Sequence, residues 1–124
     1  MTPDRIFFSS GALLALVSVG AGAFAAHGLK ARLTPEMLGV FELAARYQMY
    51  HAVALMLCAF AWTRWPGPAV GLAGGLFVLG TLLFCGSLYV LSLSGVRWLG
   101  AVTPFGGVAW LGGWAALVWA AVRH

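Results

Sequence analysis

The decapeptide Glu42-Leu-Ala-Ala-Arg46-Tyr47-Gln48-Met-Tyr50-His51 gathers more chemically capable side chains than any other stretch of the chain. On a helix, Glu42, Arg46 and Tyr50 share one stripe, Tyr47 and His51 share the adjacent one, and Gln48 lies to the side. Carboxylate, guanidinium, phenol, amide and imidazole thus fall within about two and a half turns. Glu42 precedes Arg46 by four residues, the favourable order for an ion pair. Such a cluster suits recognition of a headgroup, a quinone or another substrate. It equally suits a polar knot that ties one helix to the next, because paired intramembrane charges can also be structural.

His27 and His51 can lie at similar depth on one side of a membrane. Two imidazoles suit haem or a metal, but no third ligand or carboxylate is spaced to complete a set, and no metal site is assigned. A hydrogen bond from imidazole to a neighbouring helix or a headgroup is the other reading. Ser87, Tyr89, Ser92 and Ser94, with Thr103, form a second polar group that can face the first. There is no Gly-x-Ser-x-Gly elbow, no phosphate loop and no pair of intramembrane carboxylates, so no catalytic set is assembled. Cys58 and Cys85 fall inside apolar stretches, match no zinc or redox spacing, and read as small hydrophobes.

The elements that must position these groups are four apolar blocks, at about 6–26, 44–63, 69–93 and 99–122. Each is long enough to cross about 30 Å of hydrocarbon, which takes about 20 residues. Of the 124 residues, 62% are hydrophobic and 8% charged, against about 25% charged in soluble domains. The expected fold is all-α: one integral membrane domain, a four-helix transmembrane bundle with short turns and both ends on one side. Ala23-Phe24-Ala25 resembles a signal-peptide cleavage site, but the apolar stretch before it exceeds a signal core, so it is read as a span.

The first span should end at His27-Gly28, with Gly28 as a left-handed cap. An amphipathic loop, Leu29–Glu36, follows. Thr34 is placed as an N-cap, Pro35 at the first helical position and Glu36 at the positive helix end. Unbroken from Pro35 to Thr63, the second helix would measure about 44 Å. Its first turns must lie at the interface, or it must bend, with Gly39 as the weak point. Ser18, Gly22 and Ala26, then Gly71 and Gly75, then Gly106, Gly107 and Gly113 are small residues suited to close helix packing. Arg5, Arg64 and Arg123 fall on one side, and Lys30, Arg32 and Arg97 on the other, so the basic residues set no orientation. The formal charge of +4 contains no basic run. This excludes nucleic-acid binding and suits anionic headgroups.

Four motifs carry a family resemblance. They are Gly22-Ala23-Phe24-Ala25-Ala26-His27-Gly28-Leu29, Ala45-Arg46-Tyr47-Gln48-Met49-Tyr50-His51-Ala52, Gly86-Ser87-Leu88-Tyr89, and Thr103-Pro104-Phe105-Gly106-Gly107 with Gly113-Trp114. In this order, over nearly the whole chain, they resemble the small bacterial inner-membrane proteins of domain-of-unknown-function family 423; the eukaryotic transmembrane protein 256 is similar. The resemblance implies four spans and no established activity. The family pattern has glycine where Ala25 stands and serine where Cys85 stands, which argues against a shared thiol mechanism.

The expected function is non-enzymatic: binding of membrane lipid or of a membrane partner through the polar cluster. Two alternatives stand beside it. One is a haem- or quinone-type cofactor protein with His27 and His51 as ligands, and the sequence names no cofactor. The other is a small transporter or channel that works as a homo-oligomer.

Overall fold

A computed structural model describes residues 1–123; His124, expected beside Arg123 at a membrane surface, lies outside the described residues. Four helices account for most of the chain: α1 (Pro3–Phe24), α2 (Pro35–Arg64), α3 (Pro68–Ser94) and α4 (Thr103–Arg123). Proline opens the first turn of α1, α2 and α3, where its missing N–H costs nothing. Thr34 caps α2 as expected, its Oγ1 accepting from the Met37 N–H at 3.2 Å. Gly95 ends α3 in the left-handed conformation, φ 76°.

Cross-helix contacts show that successive helices run antiparallel. Ser18 meets Ala45 and Leu14 meets Gln48 between α1 and α2. Ser87 meets Thr103 and Phe77 meets Gly113 between α3 and α4. α1 packs on α2, α2 on α3 and α3 on α4, while α2 and α4 meet at few residues. α2 and α3 therefore form the interior, and their fully buried Leu55, Cys58, Val70, Phe77 and Cys85 fill its centre.

Small residues recur every seven positions along every helix. Gly11, Ser18 and Ala25 do so on the first helical run, and Ala45, Ala52 and Ala59 on α2. Ala73, Gly80 and Ser87 follow on α3, and Gly106, Gly113 and Ala120 on α4. All twelve are buried. A seven-residue period keeps one seam of a helix facing its neighbour along its length, and small side chains on that seam let backbones approach. A Cβ on Gly11 would lie 2.5 Å from the Ala52 carbonyl oxygen, and one on Gly106 would lie 2.5 Å from the Phe84 nitrogen.

The small residues expected from sequence to pack helices coincide with these seams only in part. Ser18, Gly106 and Gly113 are packed, but Gly22, Ala26, Gly71 and Gly75 are exposed and Gly107 has open space beside it. A straight helix with a four-residue stripe drifts off a seam that a seven-residue stripe follows.

One local expectation is corrected. Gly28 does not adopt a left-handed conformation. The helix instead widens into a π-helical turn, Ala25–Leu29, and the Phe24 ring occupies the space where a Cβ of residue 28 would sit, 2.6 Å away. Of the two readings left open for α2, the unbroken one describes it: α2 runs as one 30-residue α-helix through Gly39, about 45 Å long.

Three helical runs are long and apolar enough to cross a membrane: Pro3–Leu29, Pro68–Ser94 and Arg97–Arg123. α2 falls short of that standard because it carries Glu36, Glu42, Arg46, Gln48, His51 and Arg64. It is also an interior helix, packed between α1 and α3. Its polarity is tolerated where neighbouring helices supply hydrogen-bond partners.

Candidate functional site

The polar residues of 42–51 separate by helical phase into an inner set and an outer set. Gln48 points inward. Its Nε2 donates to the Leu14 carbonyl of α1 at 2.9 Å, and its Oε1 accepts from the Tyr89 hydroxyl of α3 at 2.7 Å. One amide thus joins three helices. Beside it, the Ser18 hydroxyl donates to the Ala45 carbonyl.

His51, three residues on, faces α4. Its ring lies parallel to Trp110 with centroids 3.8 Å apart. The Trp114 indole N–H donates to His51 Nε2 at 3.2 Å, and His51 Nδ1 lies 2.9 Å from the Tyr47 carbonyl. An indole only donates and a carbonyl only accepts. His51 is therefore the neutral imidazole with its hydrogen on Nδ1, and both ring nitrogens are engaged.

Tyr47 stacks on Phe84 of α3 and Trp110 of α4, at 5.4 and 6.0 Å. The Trp110 N–H and the Thr81 hydroxyl both donate to the Phe77 carbonyl. Ser87 bonds Thr103 at 2.7 Å, fastening α3 to the start of α4. Among the described residues, no buried side-chain nitrogen or oxygen lacks a partner. Gln48, His51, Ser87 and Tyr89 therefore act as fasteners of the bundle. Tyr89→Phe should lower stability by about 1 kcal/mol, the usual worth of one interhelical bond in a membrane. Denaturant titration in mixed micelles measures it, and an unchanged midpoint would deny the Gln48 bond any weight.

The outer set is different. Glu42, Arg46 and Tyr50 are exposed on the far face of α2. Glu42 and Arg46 open onto a groove of about 290 Å³ shared with Ser18, Val19, Gly22, Ala45 and Met49. The expected Glu42–Arg46 ion pair does not form. Among the described residues, the ion pair within 4 Å joins Glu36 to Arg97 at 3.2 Å. The Arg97 turn holds Glu36 from across the bundle end, whereas Arg46 and Glu42 stay exposed at the edge of the groove.

His27 is exposed on the π-helical turn, and His51 is enclosed by Trp110 and Trp114, so the two histidines do not form one ligand set. Among the described residues, no three His, Cys, Asp or Glu side chains are grouped to hold a metal. The sequence reading overlooked Trp110 and Trp114 as partners of His51. Their spacing of four residues on one face of α4 was the available signal.

The family model described as "Protein of unknown function (DUF423)" matches residues 21–107. The UPF0382 membrane protein YwdK of Bacillus subtilis (strain 168) is 43% identical over 97% of this chain and 98% of its own. The UPF0382 membrane protein SH2409 of Staphylococcus haemolyticus is 42% identical over 92% of this chain and 93% of its own. No solved structure matches significantly. With most of its length covered by that model and its relatives named as membrane proteins, the chain belongs to the DUF423 family of proteins of unknown function.

Proposed function

We propose that this protein acts by binding rather than by chemistry, and that it engages a membrane partner through the outer charged face of α2. One observation carries this reading: Arg46 is exposed close to the mid-height of the bundle, with Glu42 exposed one turn nearer the start of α2. Ala45 bonds Ser18, which lies about 3 Å along the axis from the middle of the run Pro3–Leu29. A charged residue at that depth costs about 2.5–3.5 kcal/mol when it faces lipid tails, so intramembrane charges face a protein interior, water or a partner. The inner polar groups are satisfied within the chain; these two are not.

Haem or metal ligation by His51 has no support in the geometry, because both of its ring nitrogens are occupied. A passage through one copy is likewise unsupported, since large side chains fill the centre of the bundle.

The test is Arg46→Leu. A fastening residue would lower the stability of the isolated chain when removed. A residue that waits for a partner would not. The expected result is an unchanged or slightly raised unfolding midpoint in micelles, with at least tenfold less partner, lipid or protein, retained in native mass spectrometry. Retention equal to wild type would end this reading.

A further inference from the structure

We propose that the partner is a second copy of this chain, seated on the outer face of α2 about a two-fold axis along the membrane normal, with Arg46 of each copy paired to Glu42 of the other. This rests on the reading just given. Three observations lead to it.

The first is periodicity. Gly39, Arg46, Val53 and Phe60 recur every seven residues on α2, all exposed. Glu42, Tyr50, Leu57 and Arg64 flank them, also exposed. This is the same period that builds the α1–α2 and α3–α4 seams, so α2 presents one more seam with nothing of its own chain upon it. A seven-residue repeat suits a helix of like period.

The second is charge. The N-terminal half of the face carries one carboxylate, Glu42, and one guanidinium, Arg46, one turn apart and not paired to each other within 4 Å, while Arg64 lies at its far end. Helical side chains lean toward the helix N-terminus, and the longer arginine leans further than the glutamate, so the Arg46 guanidinium reaches toward the level of Glu42. Two parallel copies related by the axis then form two reciprocal ion pairs, because a two-fold interface brings each patch against its own copy. An antiparallel pair would set both charges against the apolar Val53–Phe60 end instead.

The third is room. Apart from its own stretch of helix backbone, nothing lies within 4 Å of a Cβ added to Gly39, so the charged end of the face is open to close approach by another backbone.

The experiment uses the full chain in bilayers at dilute protein-to-lipid ratio, with subunits counted by single-molecule photobleaching. Gly39→Cys supplies a cross-linking site; Cys58 and Cys85 are buried and do not compete. Wild type should be dimeric, and Gly39→Cys should link to itself. Glu42→Arg or Arg46→Glu alone should reduce the dimer about tenfold, and the double reversal should restore most of it. Monomeric wild type, charge reversals without effect, or a link between Gly39→Cys and Phe60→Cys would each overturn the proposal. If wild type is monomeric yet Arg46→Leu still sheds a lipid or a foreign chain, only the second copy is overturned. If Arg46→Leu sheds nothing, the reading it rests on falls with it.

Discussion

Gly106→Ala should destabilise the protein by about 2 kcal/mol, while the same change at the adjacent Gly107 should be neutral or stabilising by about 0.5 kcal/mol. The added carbon at position 106 would meet the Phe84 nitrogen at 2.5 Å and the Gly80 carbonyl oxygen at 2.8 Å. Both are backbone atoms inside a helix, so they cannot swing aside as a side chain can. Relief requires α3 and α4 to separate along a seam where Trp110 also lies against Gly80. At Gly107 the same carbon meets nothing within 4 Å, and alanine has the better helix propensity. Unfolding in micelles followed by circular dichroism measures both. Equal midpoints for the two variants would show that the α3–α4 distance is not set by glycine.

His51→Ala is expected to cost about 3 kcal/mol, in the range for truncating a buried ring. It removes the stack on Trp110 and leaves the Trp114 N–H without its acceptor. His51→Phe keeps the ring volume and the stack but loses both hydrogen bonds, so it should cost about 1 kcal/mol. The difference separates packing from hydrogen bonding at one position. Denaturant titration read by tryptophan emission reports both variants, since Trp110 and Trp114 both touch the substituted ring. Equal losses for the two substitutions would assign the whole effect to the hydrogen bonds and none to the stack.

The fold class was legible because lipid imposes a length. Blocks of about 20 apolar residues admit few structures other than spanning helices. Helix starts were legible where the chemistry is local, as at Thr34-Pro35. The division of 42–51 into stripes was also legible, since helical phase alone sends Glu42, Arg46 and Tyr50 one way and Tyr47 and His51 another. What each stripe meets was not. Gln48 finds Leu14 and Tyr89, residues 34 and 41 positions away, and no local rule reaches that far. The seams were misjudged because glycine clusters such as Gly71-Gly75 and Gly106-Gly107 draw attention to short spacings. The governing period is seven, and on α1 and α2 it runs through serine and alanine as much as glycine. Gly28 was misread because a glycine after a helix suggests a cap; here it leaves space for the Phe24 ring.

The order in which the ribosome delivers the chain gives the inner polar set a temporal meaning. α1 and α2 emerge first, and together they satisfy Ser18 and the Gln48 amide N–H. Gln48 Oε1 and His51 Nε2 have their protein partners only once Tyr89 and Trp114 are made. The newborn hairpin therefore enters the bilayer with two open acceptors on its least apolar helix. Only the arrival of the second hairpin closes them, so the cost of leaving them open drives the two hairpins to dock.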